Sequence, residues 1–470
     1  MLEVKENENM LEDETNIEQM ETDKKEDNFN KKDKIIYILK GISSILSSII
    51  HNIGYISIWV LGYTTIYLIS FRRHYNQNID FSQSYCLIPL MNLVFGLTSP
   101  IGGILKDKYG GRTTIFFSNL IICISFIIMY FSRSIYFDYF LMCLNGFGIA
   151  VGYNITKKNA CAFFMNRKAL ICAIINLFSN AFSFCLIFYF EVFILNFDIE
   201  YPSIDKIYYR EKIFLNYQRI FIFEIVLTIF TCLITVLLYF KNDVNETIKF
   251  GFNEKINIDN NKSTNNNEIE KIEKNKKKIS KNVKIKNAIK NNRTIKLIIM
   301  VFLFYPMINF INSVMRMDMH FYFIFGALYN AAGCISSLIF GLIGDFVQFR
   351  ILFVILAALL SLTSFIYVKY FGGEFILFPI IVFVSLIDNG FNIIFDSHIM
   401  KVYGMNNYIE IWGVIRGSGR ISEIFGIIFY FILESNSYVY KIIYGFTGVL
   451  SLISLGLGLF ETEDKFNYEN

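Results

Sequence analysis

The 470-residue sequence predicts an all-α membrane protein, with twelve transmembrane helices in two six-helix pseudo-symmetric bundles. Three observations point there. Hydrophobic residues make up 54% of the chain and charged residues only 18%, against roughly 25% charged in soluble domains. Twelve apolar runs are each long enough to cross a bilayer, whose core of about 30 Å needs about 20 helical residues. A short charged pattern also recurs between the second and third runs of each half.

Taken in order, residues 1–34 carry twelve Asp/Glu against six Lys, a net of −6, with no apolar periodicity. They read as a solvated acidic tail, bounded at 1–41. No short apolar region with a small-residue cleavage site is present, so the first run is expected to stay in the membrane. The first bundle, 42–240, holds runs at 46–71, 82–105, 114–131, 136–157, 168–190 and 218–240. Residues 241–294 carry fourteen Lys/Arg against seven Asp/Glu, a net of +7, together with fourteen Asn. This segment is expected to be a solvated tether; binding to anionic lipid head groups is the alternative. The second bundle, 295–460, holds runs at 295–315, 321–343, 350–369, 374–400, 408–433 and 438–460, and a tail follows at 461–470.

Lys/Arg counts in the short loops are equal on the two sides, so they do not orient the chain. Lys31, Lys32, Lys34 and Lys40 and the basic linker do, and they predict both termini on the cytoplasmic side. The eight cysteines fall in or beside the runs, and none forms a CxxC pair. They read as small packing residues, not as a disulfide or metal set. No phosphate-binding loop, metal cluster or activated nucleophile appears. Enzyme chemistry, a cofactor, a metal and a nucleic-acid partner are therefore not expected, and the chain is expected to be monomeric.

After the second run come Gly103, Asp107 and Arg112; after the eighth come Gly341, Asp345 and Arg350. The spacing G-x3-D-x4-R is the same, which argues for a parallel internal repeat. "GGILKDKYGGR" resembles the signature loop of the major facilitator superfamily at Gly103, Asp107, Lys108, Gly110 and Arg112. Gly111 stands where many members carry Arg. In the second copy Phe346 and Phe349 replace Lys108 and Gly111. The resemblance covers roughly 42–460. It implies a twelve-helix transporter working by alternating access, in which these two loops are a conformational latch on the closed cytoplasmic side. In physical terms, the glycines let helix ends approach closely. The carboxylate can sit at a neighbouring helix N-terminus. Arg112 can bind carbonyls at a helix C-terminus or a carboxylate.

The stretch from Gly146 to Ile174 has Gly146, Gly148 and Gly152, then Tyr153, Phe163–Phe164 and Arg167–Lys168. It is similar to the monocarboxylate porters and oxalate/formate antiporters, which usually have a Pro after the Tyr; Asn154–Ile155 stand here. The plainer reading of Gly148 and Gly152 is close helix packing.

Ionisable groups at membrane depth are costly and usually face a cavity or a partner. In the tenth run Asp388, Asn392 and Asp396 share one face; in the eleventh Arg416, Arg420 and Glu423 do. Asn309, Asn312 and Arg316 align in the seventh run, and Asn176 and Asn180 in the fifth. The eighth has Asn330 and no basic residue, unlike the anion porters. Two readings stay open. The acids and bases of runs ten and eleven neutralise one another or snorkel, with Asp396 and Glu410 at the interface. Alternatively, Arg416 or Arg420 meets an anionic solute and Asp388 or Glu423 carries a proton. His51, His74, His320 and His398 read as loop and helix-end residues, only His398 being at membrane depth.

The expected function is secondary transport of a small organic solute, a carboxylate anion or amino acid, with proton coupling as a further expectation. The solute pathway is assigned to Arg416, Arg420, Asp388, Asn392, Glu423, Asn309, Asn312, Asn330, Asn176, Asn180 and Tyr153. The alternatives are a multidrug or sugar carrier, or a non-transporting receptor or scaffold whose cavity is plugged by Phe and Tyr. Sugar pathways favour Gln, Asn and Trp, and the chain has only two Trp. The membrane is the plasma membrane or that of an organelle.

Overall fold

A computed structural model of the chain describes residues 33–75, 86–195, 211–241, 290–315, 322–370, 374–425 and 437–461. The acidic tail before Asp33, nearly all of the basic linker and the last residues lie outside the described residues, as do Arg316 and His320.

The first run is helical from Asp33 to Leu61 (α1), so the helix begins inside the stretch assigned to the tail. A single 3-10 turn, Gly62–Thr64, leads into α2, Thr65–Arg73. The remaining five runs of the first half are α3 (Leu87–Tyr109), α4 (Gly111–Phe131), α5 (Ile135–Phe163), α6 (Lys168–Leu195) and α7 (Glu211–Leu238). The second half is α8 (Asn292–Met315), α9 (Tyr322–Ile343), α10 (Phe349–Tyr370), α11 (Glu374–Val402), α12 (Gly404–Ile421) and α13 (Ser437–Gly458).

Eleven of the described helices are long and apolar enough to cross a membrane. Besides the nine-residue α2, the exception is α12, whose 18 residues include Glu410, Arg416 and Arg420. Their cost is met by burial inside the protein, because α12 packs along α3, α8 and α11.

Outward faces are apolar at helical spacing, as hydrocarbon contact requires. Phe116, Leu120, Ile124, Ile127 and Phe131 line the exposed side of α4, and Ile351, Ile355, Leu359, Leu362 and Ile366 that of α10. The polar network of the first half faces inward: Arg72 forks onto Asp138 at 2.6 and 2.7 Å and reaches the carbonyls of Ser132 and Met129.

The contacts repeat when the halves are exchanged. Within the halves α3 packs on α5 and α9 on α11. Between them α3 packs on α12 and α9 on α6. Two glycines of the repeated loops make these crossings possible. A side chain at Gly103 would strike Glu410 of α12, and one at Gly341 would strike Ala173 of α6.

Candidate functional site

A cavity of about 190 Å³ lies between the halves, many times the roughly 10–15 Å³ that one water needs. Its walls come from α1, α3, α5, α6, α8, α9, α11, α12 and the turn after α12. Three acids (Asp388, Asp396, Glu423) and three bases (Lys157, Arg416, Arg420) face it. Asparagines supply most other polar groups: Asn52, Asn92, Asn176 and Asn180 from the first half, and Asn309, Asn330, Asn389 and Asn392 from the second. Both tryptophans, Trp59 and Trp412, line it as well.

Ten of the eleven pathway residues expected from the sequence therefore meet in one place. The tenth run places Asp388, Asn392 and Asp396 one turn apart on α11, so all three reach the cavity. Tyr153 sits on its α5 wall, with ring centroids 6.0 Å from Trp59 and 5.9 Å from Trp412. Asn309 donates to Ser422 Oγ at 2.9 Å, Asn330 to Gly326 O at 2.8 Å, and Asn180 across the halves to Asn389 Oδ1 at 2.9 Å. Asn312 is on α8, and its side chain lies outside the described residues.

The charges are not distributed as the run-ten and run-eleven pairing anticipates. Arg420 Nη1 donates to Glu423 Oε1 at 2.8 Å, three residues along its own segment. Asn92 Nδ2, from α3, donates to Glu423 Oε2 at 2.9 Å, and Trp59 Nε1 donates to Asn92 Oδ1 at 2.8 Å. Asp388 is held by neutral donors: Tyr329 at 2.6 Å, Tyr305 at 3.3 Å and Asn392 at 3.2 Å. Arg416 lies 4.0 Å above the Tyr305 ring, a cation–π distance. Its Nη1 has no hydrogen-bond partner, and no carboxylate is within 4.0 Å among the described residues.

Asp396 corrects an expectation. It is not at the interface but only 2% exposed. Lys157 Nζ donates to its Oδ2 at 2.9 Å and Trp412 Nε1 to its Oδ1 at 2.6 Å. Lys157 is missed by the sequence reading because the fourth run ends at 157, so Lys157–Lys158 count as loop edge. The available signal is the spacing from Tyr153, one helical turn away. Histidines also need correction. His51 is fully buried, within reach of Thr156 Oγ1 at 3.1 Å and Asn119 Nδ2 at 3.4 Å. His398 is buried too, stacked 4.0 Å from Phe349 with Nε2 3.5 Å from Glu461.

At the end bearing the repeated loops, the two copies behave differently. Asp345 accepts from the backbone amides of Ala169 at 2.9 Å and Leu170 at 3.1 Å, and so sits on the α6 N-terminus, where the helix dipole favours an anion. Asp107 is half exposed, 3.8 Å from its neighbour Lys106. Arg112 donates twice to Tyr239 O, at 2.9 and 2.7 Å, just past the end of α7. Gly110 turns between α3 and α4 with φ +84°. Lys108 lies over the adjacent Tyr109 ring, and Arg350 is exposed.

Residues 42–427 match the family described as Major Facilitator Superfamily. No curated protein matches the chain significantly. Among solved structures, the proton:xylose symporter XylE bound to 6-bromo-6-deoxy-D-glucose aligns with a TM-score of 0.64 at 9% identity, over 89% of this chain and 94% of that one. FucP in the outward conformation gives 0.59 at 10% identity, over 89% and 99%. A variant of the E. coli fucose:proton symporter FucP gives 0.58 at 11% identity, over 88% and 98%. At such identities the likeness is one of fold.

Proposed function

We propose, from the premise that this chain belongs to the major facilitator superfamily and is an integral, multi-pass secondary transporter, that its solute is a small organic carboxylate or an amino acid, moved together with protons. One observation carries this: Arg416, a buried guanidinium in the cavity wall with an unpartnered Nη1. A bare buried charge is expensive, and a solute carboxylate is the natural partner for an arginine fork. Once Arg420 is set with Glu423 and Lys157 with Asp396, the cavity is left with Arg416 and Asp388. That remainder suits a zwitterion, its carboxylate on Arg416 and its ammonium on Asp388, or an anion travelling with a proton.

The cavity is lined by charged and amide groups rather than plugged by Phe, which supports transport over a scaffold role. The similarity to monocarboxylate and oxalate/formate porters adds weight to the carboxylate class. Both termini on the cytoplasmic side of a plasma or organelle membrane, a monomeric state and anionic lipid at the basic linker belong to the same proposal. So do the two-bundle domain boundaries and the latch role of the repeated loops.

A second reading has its own support. Eight asparagines and both tryptophans line the cavity, a surface that also suits a neutral polyhydroxylated solute.

The test is uptake by the full chain in proteoliposomes, using labelled lactate, oxalate, formate, glutamate, alanine and xylose. The proposal expects a carboxylate or amino acid to be taken up, and Arg416→Gln to cut that uptake roughly ten- to a hundredfold. Xylose uptake that Arg416→Gln leaves unchanged favours the second reading instead.

A further inference from the structure

Two thiols outside the cavity wall lie against each other at one corner of the first half. Cys161 is on the last turn of α5 and Cys172 on the second turn of α6, with their Sγ atoms 3.6 Å apart and both side chains fully buried. Cys161 Sγ is also 3.9 Å from Lys168 O, on the far side of the exposed turn at 165–167. Packing is the ordinary reading of a buried cysteine. It does not account for a sulfur-to-sulfur contact, which no other two of the eight cysteines make among the described residues.

The charged and titratable groups that face Cys172 besides Cys161 are Lys157, Asp396 and Tyr408. Lys157 and Asp396 belong to the cavity wall, so Cys172 stands directly behind that wall, within reach of a water-sized molecule that enters it. The thiols also need little movement to join. Side-chain rotation brings sulfurs in contact to the bonding distance of about 2 Å, and their proximity makes the joining step intramolecular.

We propose that Cys161 and Cys172 are a modification site, a dithiol that a peroxide converts reversibly to a disulfide clamping α5 to α6. One sulfur attacks a peroxide oxygen, the O–O bond breaks, and that sulfur becomes a sulfenic acid as water leaves. The second sulfur attacks the first and expels the sulfenic oxygen as another water. Two thiols and one peroxide thus give one disulfide and two waters, and two electrons pass from sulfur to oxygen. A thiol reductant reverses the change by thiol–disulfide exchange.

The clamp falls where the first half holds the second. Lys157, bound to Asp396, is one turn before Cys161, and Cys172 follows the α6 N-terminus, whose amides bond Asp345. Oxidation therefore stiffens the corner that carries both contacts. None of this depends on which solute is carried.

The test uses the wild-type full chain in lipid nanodiscs, with hydrogen peroxide as the oxidant. After denaturation and alkylation, peptide mass spectrometry should find Cys161 and Cys172 unalkylated together, linked to each other and lighter by two hydrogens. Dithiothreitol should restore both. Amide hydrogen exchange over 161–172 should slow on oxidation and recover on reduction. In Cys161→Ala, peroxide should leave Cys172 as a sulfenic acid that dimedone traps, with exchange unchanged. If both thiols are still alkylated under conditions that oxidise the exposed Met165, or if each is carried separately to sulfinic acid, the proposal is wrong. A disulfide that forms without slowing exchange overturns the clamp.

Discussion

Trp412 shows how much of the site depends on single neutral donors. Its indole N–H donates to one Asp396 oxygen while Lys157 donates to the other. Trp412→Phe keeps the ring and removes the donor, leaving a buried carboxylate oxygen unpartnered. Such a loss costs about 1–3 kcal/mol, so the purified variant should melt measurably lower than the wild type; an unchanged melting temperature would mean that water replaces the indole. The face carried by Asp388, Asn392 and Asp396 is legible from a four-residue spacing. What occupies the opposite side of that face is not. Lys157 is 239 residues from Asp396, and no local pattern pairs them. Tyr305 and Tyr329, which hold Asp388, are hidden for another reason: in a chain with 29 Tyr an aromatic at helical spacing reads as packing.

Helix ends carry the next level. Asp345 sits on two backbone amides of α6, whereas its repeat partner Asp107 is solvent-facing. Asp345→Ala should therefore cost about 0.5–2 kcal/mol, the range for losing a helix N-terminal acceptor, and Asp107→Ala close to nothing. Chemical or thermal unfolding of the two variants compares them directly, and equal losses would contradict the asymmetry. The sequence repeat shows where the loops are but treats the copies as equivalent. The glycines differ too: Gly103 faces the Glu410 side chain of α12, whereas Gly341 faces Ala173 of α6.

The turn after α13 behaves similarly. Burial pushes the Glu461 carboxyl up, but His398 and Arg293 beside it prevail and hold it below the ordinary range. A lowered folded-state value means that Glu461 stabilises the fold above its unfolded value and loses that effect as pH falls through the lowered one. The melting difference between wild type and Glu461→Gln should be present at neutral pH and vanish in acid; a difference that persists in strong acid would assign it to packing.

At the scale of the molecule, apolar length alone locates the helices, because hydrocarbon thickness sets a span and leaves little choice, but not their ends: α1 begins at Asp33 rather than 46 and α5 runs on to Phe163 rather than 157. The run at 408–433 marks α12, yet the described helix is too polar to count as a span by composition, because its charges are used inside. Its arginines reach the same cavity as Lys157 and the asparagines of α6 because α3 crosses on α12 and α9 on α6. The central claim is that this shared cavity is the passage and that Arg416 receives the solute there. The most direct measurement is a structure of the full chain determined with the transported carboxylate bound. The account predicts solute density inside the cavity, with a carboxylate oxygen within hydrogen-bond distance of Arg416 Nη1. Density for the solute elsewhere, with the Arg416 guanidinium still unpartnered over Tyr305, would contradict it.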